Sequence, residues 1–156
     1  MEYCHCGSLG SFIRSGNRLS ESALRDIMAC CLMGLTYLHA KKIIHRDIKP
    51  DNLFLSEQGV IKVGDFGISR VLQFTQDLAQ TAVGTPLYVA PEVVKGVGYD
   101  SKADVWSMGC TFYEILTFSP PFSGMSLSDL MGKVRTASYP RLSSRYECVP
   151  WSRPHS

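Results

Sequence analysis

One stretch of eight residues constrains the possible folds of this chain more than any other. Residues 45–52 read His-Arg-Asp-Ile-Lys-Pro-Asp-Asn and are called the octet below. The octet sets an acid, a base candidate and an amide at fixed spacing, and Asp-Phe-Gly follows at residues 65–67. Between them lie two short apolar runs, at residues 53–55 and 60–63, joined by a turn that contains Gly59. This pattern predicts a β-hairpin that brings the end of the octet close to the Asp-Phe-Gly triplet.

Segments with helical periodicity flank this polar region. The first covers residues 20–40, with Ser20 as its N-cap. Its apolar stripe consists of Leu24, Ile27, Met28, Cys31, Leu32, Leu35 and Leu38. The second covers residues 101–117, and a shorter helix begins at Ser126. The predicted fold is therefore mainly α with a short β-hairpin.

The helix over residues 101–117 combines a buried character with one carboxylate. Its apolar residues cover most of its circumference and are Val105, Trp106, Met108, Cys110, Phe112, Ile115 and Leu116. Asp104 lies among them. Because a buried carboxylate is costly unless it accepts hydrogen bonds, we expect Asp104 to have specific donors.

Composition excludes several classes of protein. The chain has 156 residues, of which 45% are hydrophobic and 19% charged, and its net charge is +2. This composition is ordinary for one globular domain, and the small net charge does not indicate nucleic-acid binding. No apolar run approaches the ~18 residues of a membrane span, and no secretory pattern begins the chain. We expect a cytoplasmic protein, with cytoskeletal association or a nuclear location as alternatives. The six cysteines match no disulfide framework or zinc spacing.

The octet and the triplet together carry side chains suited to phosphoryl transfer. This reaction needs metal ions on the phosphates, a positioned hydroxyl and stabilised negative charge. Asp47 is suited to orient a substrate hydroxyl and accept its proton, and Lys49 to neutralise charge on the phosphoryl group. Asn52 and Asp65 offer the hard oxygen ligands that Mg²⁺ prefers.

Three motifs resemble those of eukaryotic protein kinases. They are the octet, Asp-Phe-Gly at residues 65–67 and Ala-Pro-Glu at residues 90–92, and they occur in the proper order. Within that superfamily the chain is most similar to the NIMA-related (Nek) serine/threonine kinases. Gly64 and the residues that follow the triplet, 68–72 and 84–86, carry this closer resemblance.

The resemblance implies a role for each matching polar residue. Asp47 matches the catalytic base, and Lys49 matches the lysine typical of serine/threonine specificity. Asn52 and Asp65 match the metal ligands. Lys49, Asn52 and Asp65 would together face the phosphates and Mg²⁺ of bound ATP.

Other positions match the adenine site and the structural frame of a kinase. Glu2 and Cys4 resemble the end of the hinge that faces adenine, and Phe54 resembles the floor of that site. His45 props the catalytic loop, and Asp104 matches a helix aspartate that accepts hydrogen bonds from the backbone of that loop.

The remaining matches concern regulation and one structural ion pair. Arg46 resembles the arginine that receives a loop phosphate, and Thr81 is the candidate phosphosite, with an unmodified loop threonine as the alternative. Thr85 resembles the threonine that bonds the catalytic aspartate and lysine. Glu92 would pair with a late arginine, although the surroundings of Arg153 do not match.

The resemblance covers residues 1–136, the hinge and large lobe of a kinase domain, and residues 137–156 read as an irregular or disordered tail. The glycine-rich loop and the lysine–glutamate pair of the small lobe find no match. We therefore expect the carboxy-terminal lobe of the kinase fold without the small lobe.

One interpretation is a truncated serine/threonine kinase with little activity alone, acting on protein substrates. The other is a non-catalytic module that binds substrates, a kinase or a scaffold. A nonfunctional fragment is a third option.

Overall fold

The computed structural model of the protein describes residues 6–64 and 86–142. Its elements, in chain order, are helix α1 (Leu9–Ser15), helix α2 (Glu21–Ala40), a 3-10 turn (Pro50–Asn52), strand β1 (Leu53–Leu55), strand β2 (Ile61–Val63), helix α3 (Pro91–Val94), helix α4 (Ser101–Thr117) and helix α5 (Leu127–Arg135). The expected mainly α fold with a short hairpin is confirmed. No helix in the described ranges is both long enough and apolar enough to cross a membrane.

Helix α2 forms where its sequence pattern predicts it. The Ser20 side chain caps it by accepting a hydrogen bond from the backbone of Ala23, 3.2 Å away. The residues of the stripe that become fully buried are Ile27, Cys31, Leu35 and Leu38. The prediction is wrong for Leu32, which is 47% exposed. Because successive helical residues are rotated by about 100°, Leu32 lies off the narrow face that the buried residues define.

Helix α4 spans the predicted residues and contributes more buried residues than any other described element. Asp100 caps its start by accepting from the backbone of Lys102. The helix ends at Thr117, and Phe118 directly after it adopts a left-handed backbone with φ 60°. The expectation of burial fails at Val105, which is 51% exposed, because α4 keeps one solvent-facing edge.

The hairpin has the predicted strands and turn. Strands β1 and β2 pair antiparallel, with Leu53 opposite Val63. Gly59 takes the positive φ of 76° that the turn requires. The Ser56 hydroxyl accepts from the backbone of Val60 and closes the turn. The start of β1 and the end of β2 therefore lie side by side, so Asn52 and Gly64 are neighbours across the strand ends.

Two short helices were not evident from periodicity. Helix α1 has a capping box in which Ser8 and Ser11 satisfy each other's backbone N–H groups, and Leu9 at its start is buried. Helix α3 begins at Pro91, a residue whose missing N–H costs nothing in a first turn. Both helices are too short for a 3.6-residue pattern to be visible, and their termini define them instead.

Two apolar clusters form the core. The larger joins α1, α2, the hairpin and α4 through Leu9, Ile27, Cys31, Leu35, Ile48, Leu53, Ile61, Met108 and Ile115. The smaller joins α4 to α5 through Cys110, Phe122, Leu130, Met131 and Val134. Helix α4 contributes to both clusters, so it is the central element of the described structure.

The segment after α5 has no helix or strand as far as Leu142. Tyr139 nevertheless contacts the rings of Tyr113 and Phe122 edge to face, and the Tyr113 hydroxyl donates to the carbonyl of Pro140. The rest of the expected tail, residues 143–156, lies outside the described residues.

Two glycine substitutions should change stability in opposite directions. A Cβ at Gly64 would lie 2.9 Å from Cε2 of Phe54, whereas a Cβ at Gly109 on the exposed side of α4 meets nothing within 4 Å. Gly64→Ala should lower the free energy of unfolding by about 1–3 kcal/mol, since the ring has to move. Gly109→Ala should raise it by about 0.5–1 kcal/mol through the backbone entropy of glycine. Urea unfolding measures both, and a loss at Gly109 would contradict this packing.

Candidate active site

The octet is held between helix α2 and strand β1. Its two apolar residues anchor it, since Ile48 is 1% exposed within the larger core and Pro50 is buried at the start of the 3-10 turn. Asp47 and Lys49 flank Ile48, so an extended backbone turns their side chains away from the core that Ile48 enters. The alternation of apolar and polar residues in the octet therefore positions the polar groups at the surface of the core.

Asp47 is the centre of a cluster of polar contacts. Its Oδ2 accepts from Nζ of Lys49 at 2.8 Å and from Nδ2 of Asn52 at 2.8 Å. Asn52 Nδ2 also donates to the backbone carbonyl of Asp47 at 2.7 Å. The side chains of Asp47 and Lys49 are 18% and 25% exposed, so the pair is shielded and still open to solvent on one side. The structure thus brings together three of the four predicted catalytic residues.

Asn52 has the geometry of a potential metal ligand. The side chain is 4% exposed, and both hydrogen bonds of its amide to described residues use Nδ2. Within residues 6–64 and 86–142 no donor contacts its Oδ1, so this oxygen is available to a cation. Asn52 O accepts from the backbone of Gly64 at 3.0 Å, which fixes the chain one residue before Asp65. Asp65 itself lies outside the described residues.

His45 ties the octet to the hairpin. The ring is 1% exposed. Its Nδ1 accepts from the backbone of Asp47 at 3.3 Å, and its Nε2 lies 3.0 Å from the carbonyl of Gly64. Since a carbonyl can only accept, these contacts assign the Nε2–H tautomer. His45 therefore connects the octet to Gly64, as Asn52 also does, and its supporting role stays a prediction.

Asp104 has the donors that its burial requires. The carboxylate is 0% exposed. Its Oδ2 accepts from the backbone of His45 at 2.9 Å, and its Oδ1 accepts from the backbone of Arg46 at 2.8 Å. Arg46 has φ 70°, an uncommon backbone for a residue with a Cβ. Asp104 thus accepts hydrogen bonds from the octet at the point where its backbone is most strained.

The remaining predicted site residues fall into two groups, those that lie within the described ranges and those that lie outside them. Phe54 is half-buried in β1 and forms an isolated bridge with Ser8, and Glu92 is half-buried in α3. Among the described residues no basic group lies within ion-pair distance of Glu92. Five other predicted positions lie outside the described residues, as does Arg153: Glu2, Cys4, Asp65, Thr81 and Thr85.

Sequence reasoning missed two side chains that contact Asp104. His39 Nε2 lies 2.8 Å from Oδ2, and the hydroxyl of Tyr99 donates to Oδ1 at 3.0 Å. His39 stands in the last turn of α2, where a histidine is ordinary, and Tyr99 lies in the irregular segment just before the N-cap of α4. Neither position carries a sequence signal, because the His39 contact depends on how α2 and α4 pack and the Tyr99 contact on how the chain enters α4.

A second polar pair lies near the C-terminal end of α4. The hydroxyl of Tyr88 donates to Oε2 of Glu114 at 2.6 Å. Burial raises the pKa of the Glu114 carboxyl above its usual value, and the hydrogen bond from Tyr88 offsets only part of this increase. Burial, followed by the hydrogen bond to Glu114, raises the pKa of Tyr88 far above its usual range. The pair connects the segment before α3 to the central helix.

Comparison with known families agrees with this geometry. Residues 1–151 match the family described as the protein kinase domain. Because the match covers most of the chain, the chain belongs to the protein kinase family.

Individual relatives are serine/threonine kinases. Serine/threonine-protein kinase Nek5 of Homo sapiens is 42% identical over 146 residues, which cover 92% of this chain and 21% of that protein. Serine/threonine-protein kinase Nek1 of Mus musculus is 38% identical over 148 residues, which cover 94% of this chain and 12% of that protein. The predicted resemblance to protein kinases, and to the Nek kinases among them, is confirmed.

A solved structure is also similar. The crystal structure of Rad53 1-466 in complex with AMP-PNP superimposes with a TM-score of 0.75 at 37% sequence identity. The match covers 89% of this chain and 34% of that one. The chain thus has a kinase fold and spans a minor part of the proteins that it matches.

Replacing the buried carboxylate should destabilise the protein. Asp104→Asn leaves one acceptor oxygen and turns an NH₂ group toward N–H and O–H donors. The free energy of unfolding should fall by about 2–4 kcal/mol. Asp100→Asn on the same helix is the control and should change it by less than about 0.5 kcal/mol, because asparagine caps helices as well as aspartate does. Chemical unfolding measures both, and equal losses would contradict the role of Asp104.

The Glu114 carboxyl should make stability depend on pH. Its folded pKa lies above the unfolded value of about 4.5. Its contribution is therefore fully present below that value and is lost as the pH rises through the folded pKa. The free energy of unfolding of the wild type, minus that of Glu114→Gln, should fall as the pH rises from 4.5 toward neutrality. A difference that stays constant or grows with pH would show that ionisation of Glu114 does not destabilise the folded protein.

Proposed function

We propose that the chain supplies the carboxy-terminal lobe of a serine/threonine protein kinase, which transfers a phosphoryl group from ATP to serine or threonine hydroxyls of protein substrates. The convergence of Lys49 and Asn52 on one carboxylate oxygen of Asp47 carries this proposal. The kinase family membership and the serine/threonine kinase relatives support it. We place the kinase in the cytoplasm, with association with the cytoskeleton or a nuclear location as alternatives.

Asp47 is the proposed catalytic base. Its carboxylate is held through Oδ2, and a substrate hydroxyl at hydrogen-bond distance would be oriented for attack and would give up its proton there. Lys49 keeps its ammonium group at the same oxygen. One N–H of Lys49 contacts Asp47, and no other acceptor within the described ranges contacts Nζ, so two N–H groups can approach phosphoryl oxygens.

The residues fit Mg²⁺ and ATP. Asn52 presents Oδ1 without a donor from the described residues, and Asp65 follows Gly64, which Asn52 and His45 fix by hydrogen bonds. One or two protein oxygens suffice for Mg²⁺, which retains waters and phosphate oxygens as its other ligands. When bound, Mg²⁺ would neutralise charge on the phosphates. We assign Asn52 and Asp65 as its ligands.

The other predicted roles belong to the same proposal. Glu2 and Cys4 would face adenine through backbone groups, with Phe54 below it. Phosphorylated Thr81 would pair with Arg46, and Thr85 would hydrogen-bond the catalytic residues. These assignments are supported by the matching motif positions.

We further propose that residues 1–156 transfer phosphate slowly by themselves. The sequence contains no Gly-x-Gly-x-x-Gly phosphate loop. Because charge stabilisation around the phosphates is usually the largest catalytic contribution, its partial loss lowers the rate strongly. The same observation favours the second candidate function, a kinase lobe that binds substrates, another kinase or a scaffold without catalysis.

A single substitution tests the catalytic proposal. The chain should label a serine- and threonine-containing peptide slowly in the presence of Mg-ATP, and Asp47→Asn should reduce the rate by at least about 100-fold, since the base is lost. Asp26→Asn removes an exposed carboxylate of α2 and should leave the rate within about twofold. Labelled phosphate transfer at high protein concentration measures the rate. Labelling that persists in Asp47→Asn would contradict the assignment.

Nucleotide binding separates the two candidate functions. Mg-ATP at 100 times its dissociation constant should stabilise the folded chain by about 2.7 kcal/mol. Thermal unfolding with and without Mg-ATP measures this. An absence of stabilisation, together with a stable complex with a protein substrate, would favour the non-catalytic module.

A further inference from the structure

The carboxylate of Asp104 has an equal number of donors on each oxygen. Oδ1 accepts from the backbone of Arg46 and from the hydroxyl of Tyr99, and Oδ2 accepts from the backbone of His45 and from Nε2 of His39. A carboxylate offers about four acceptor positions. The two donors from the octet backbone therefore occupy half of them, and two side chains from outside the octet occupy the rest.

The two side chains come from separate parts of the fold. His39 stands in the last turn of α2, and its side chain is 20% exposed. Tyr99 lies just before the N-cap of α4. Since Asp104 belongs to the first turn of α4, the three residues connect α2, the entry to α4 and α4 itself.

Both side chains act as donors. Nε2 of His39 must carry a proton to bond an ionised carboxylate. Burial raises the pKa of the Tyr99 hydroxyl far above its usual range, and the charge of Asp104 and the hydrogen bond to it add to that shift. Tyr99 therefore keeps its proton at physiological pH and donates it to Asp104.

Without these donors only the two backbone N–H groups of the octet would hold the carboxylate, and one of them belongs to Arg46, whose backbone is strained. The backbone N–H groups of His45 and Arg46 meet different oxygens of Asp104, so both bonds require one orientation of the carboxylate plane. Arg46 needs this support because its left-handed backbone is costly for a residue with a Cβ. Asp47 is the residue directly after Arg46, so a change in the orientation of the Asp104 carboxylate would move the backbone that carries the proposed base.

We propose that His39 and Tyr99 are positioning residues for phosphoryl transfer. They hold the Asp104 carboxylate in the orientation that fixes the backbone of His45 and Arg46, and thereby the direction of the Asp47 side chain. We call His39, Tyr99 and Asp104 the brace. The catalytic consequence rests on the proposed kinase function, whereas the structural consequence does not.

Amide hydrogen exchange, measured by NMR on the labelled 156-residue chain, tests the brace without activity. Tyr99→Phe removes only the hydroxyl, and His39→Leu removes the donor of the ring. Both should speed exchange at the amides of His45 and Arg46 by at least tenfold, because the carboxylate that accepts from them is no longer fixed. His39→Gln retains an N–H donor and should restore at least half of the lost protection on a logarithmic scale.

A matched control uses the hydroxyl of another half-buried tyrosine, Tyr113 in α4. Tyr113→Phe removes a single hydrogen bond to the carbonyl of Pro140 and should leave exchange at His45 and Arg46 unchanged. Unchanged exchange at these two amides in Tyr99→Phe and His39→Leu would overturn the proposal. An equal acceleration throughout α2 and α4 would overturn it too, since that result indicates a general loss of stability.

Kinetics test the catalytic consequence. In Tyr99→Phe and His39→Leu, kcat should fall at least fivefold while KM for ATP and for the peptide stays within twofold, because Asp47 is displaced and the binding groups are not. His39→Gln should recover most of kcat. An unchanged kcat would overturn the positioning role. A wild-type chain without Asp47-dependent transfer would instead refute the proposed function, and the exchange experiment would still decide whether the brace fixes the octet.

Discussion

The structure depends on one buried carboxylate. Asp104 belongs to the central helix α4 and is completely buried. Its carboxylate accepts hydrogen bonds from two backbone N–H groups, a hydroxyl and an imidazole. Removing a charge from water is costly, and the cost is offset only when all of these donors are in place. The carboxylate therefore specifies one arrangement of α2, α4 and the octet, since any other packing would leave it with unmet hydrogen bonds. Buried polar groups of this kind favour specificity more than raw stability.

The polar side chains of the octet meet because its residues alternate between two environments. Ile48 and Pro50 enter the core, whereas Asp47, Lys49 and Asn52 meet on the other side. The hairpin then returns the chain to the same place, where Gly64 bonds to both Asn52 and His45. Rigid elements thus fix the polar cluster from both ends, as an arrangement of catalytic groups requires.

Much of this could be read from the sequence. The long helices α2 and α4, the cap at Ser20, the turn at Gly59 and the need of Asp104 for donors all followed from local patterns. The exposure of Leu32 and Val105 did not, because burial at the edge of an apolar stripe depends on which neighbour covers it. Helix α1 was missed for another reason: seven residues are too few to show a period, so only its serine capping box marks it.

Sequence alone determined the family and the residue types suited to phosphoryl transfer. The spacing of Asp47, Lys49 and Asn52 is local, so their meeting at one point follows from a short stretch of chain whose backbone is constrained by proline and the following strand. The tertiary structure decided how that stretch is held. His39 is 65 residues from Asp104, so no local rule pairs it with the carboxylate. Its contact exists because α2 packs against α4, and Tyr99 reaches the same carboxylate from the irregular segment before α4.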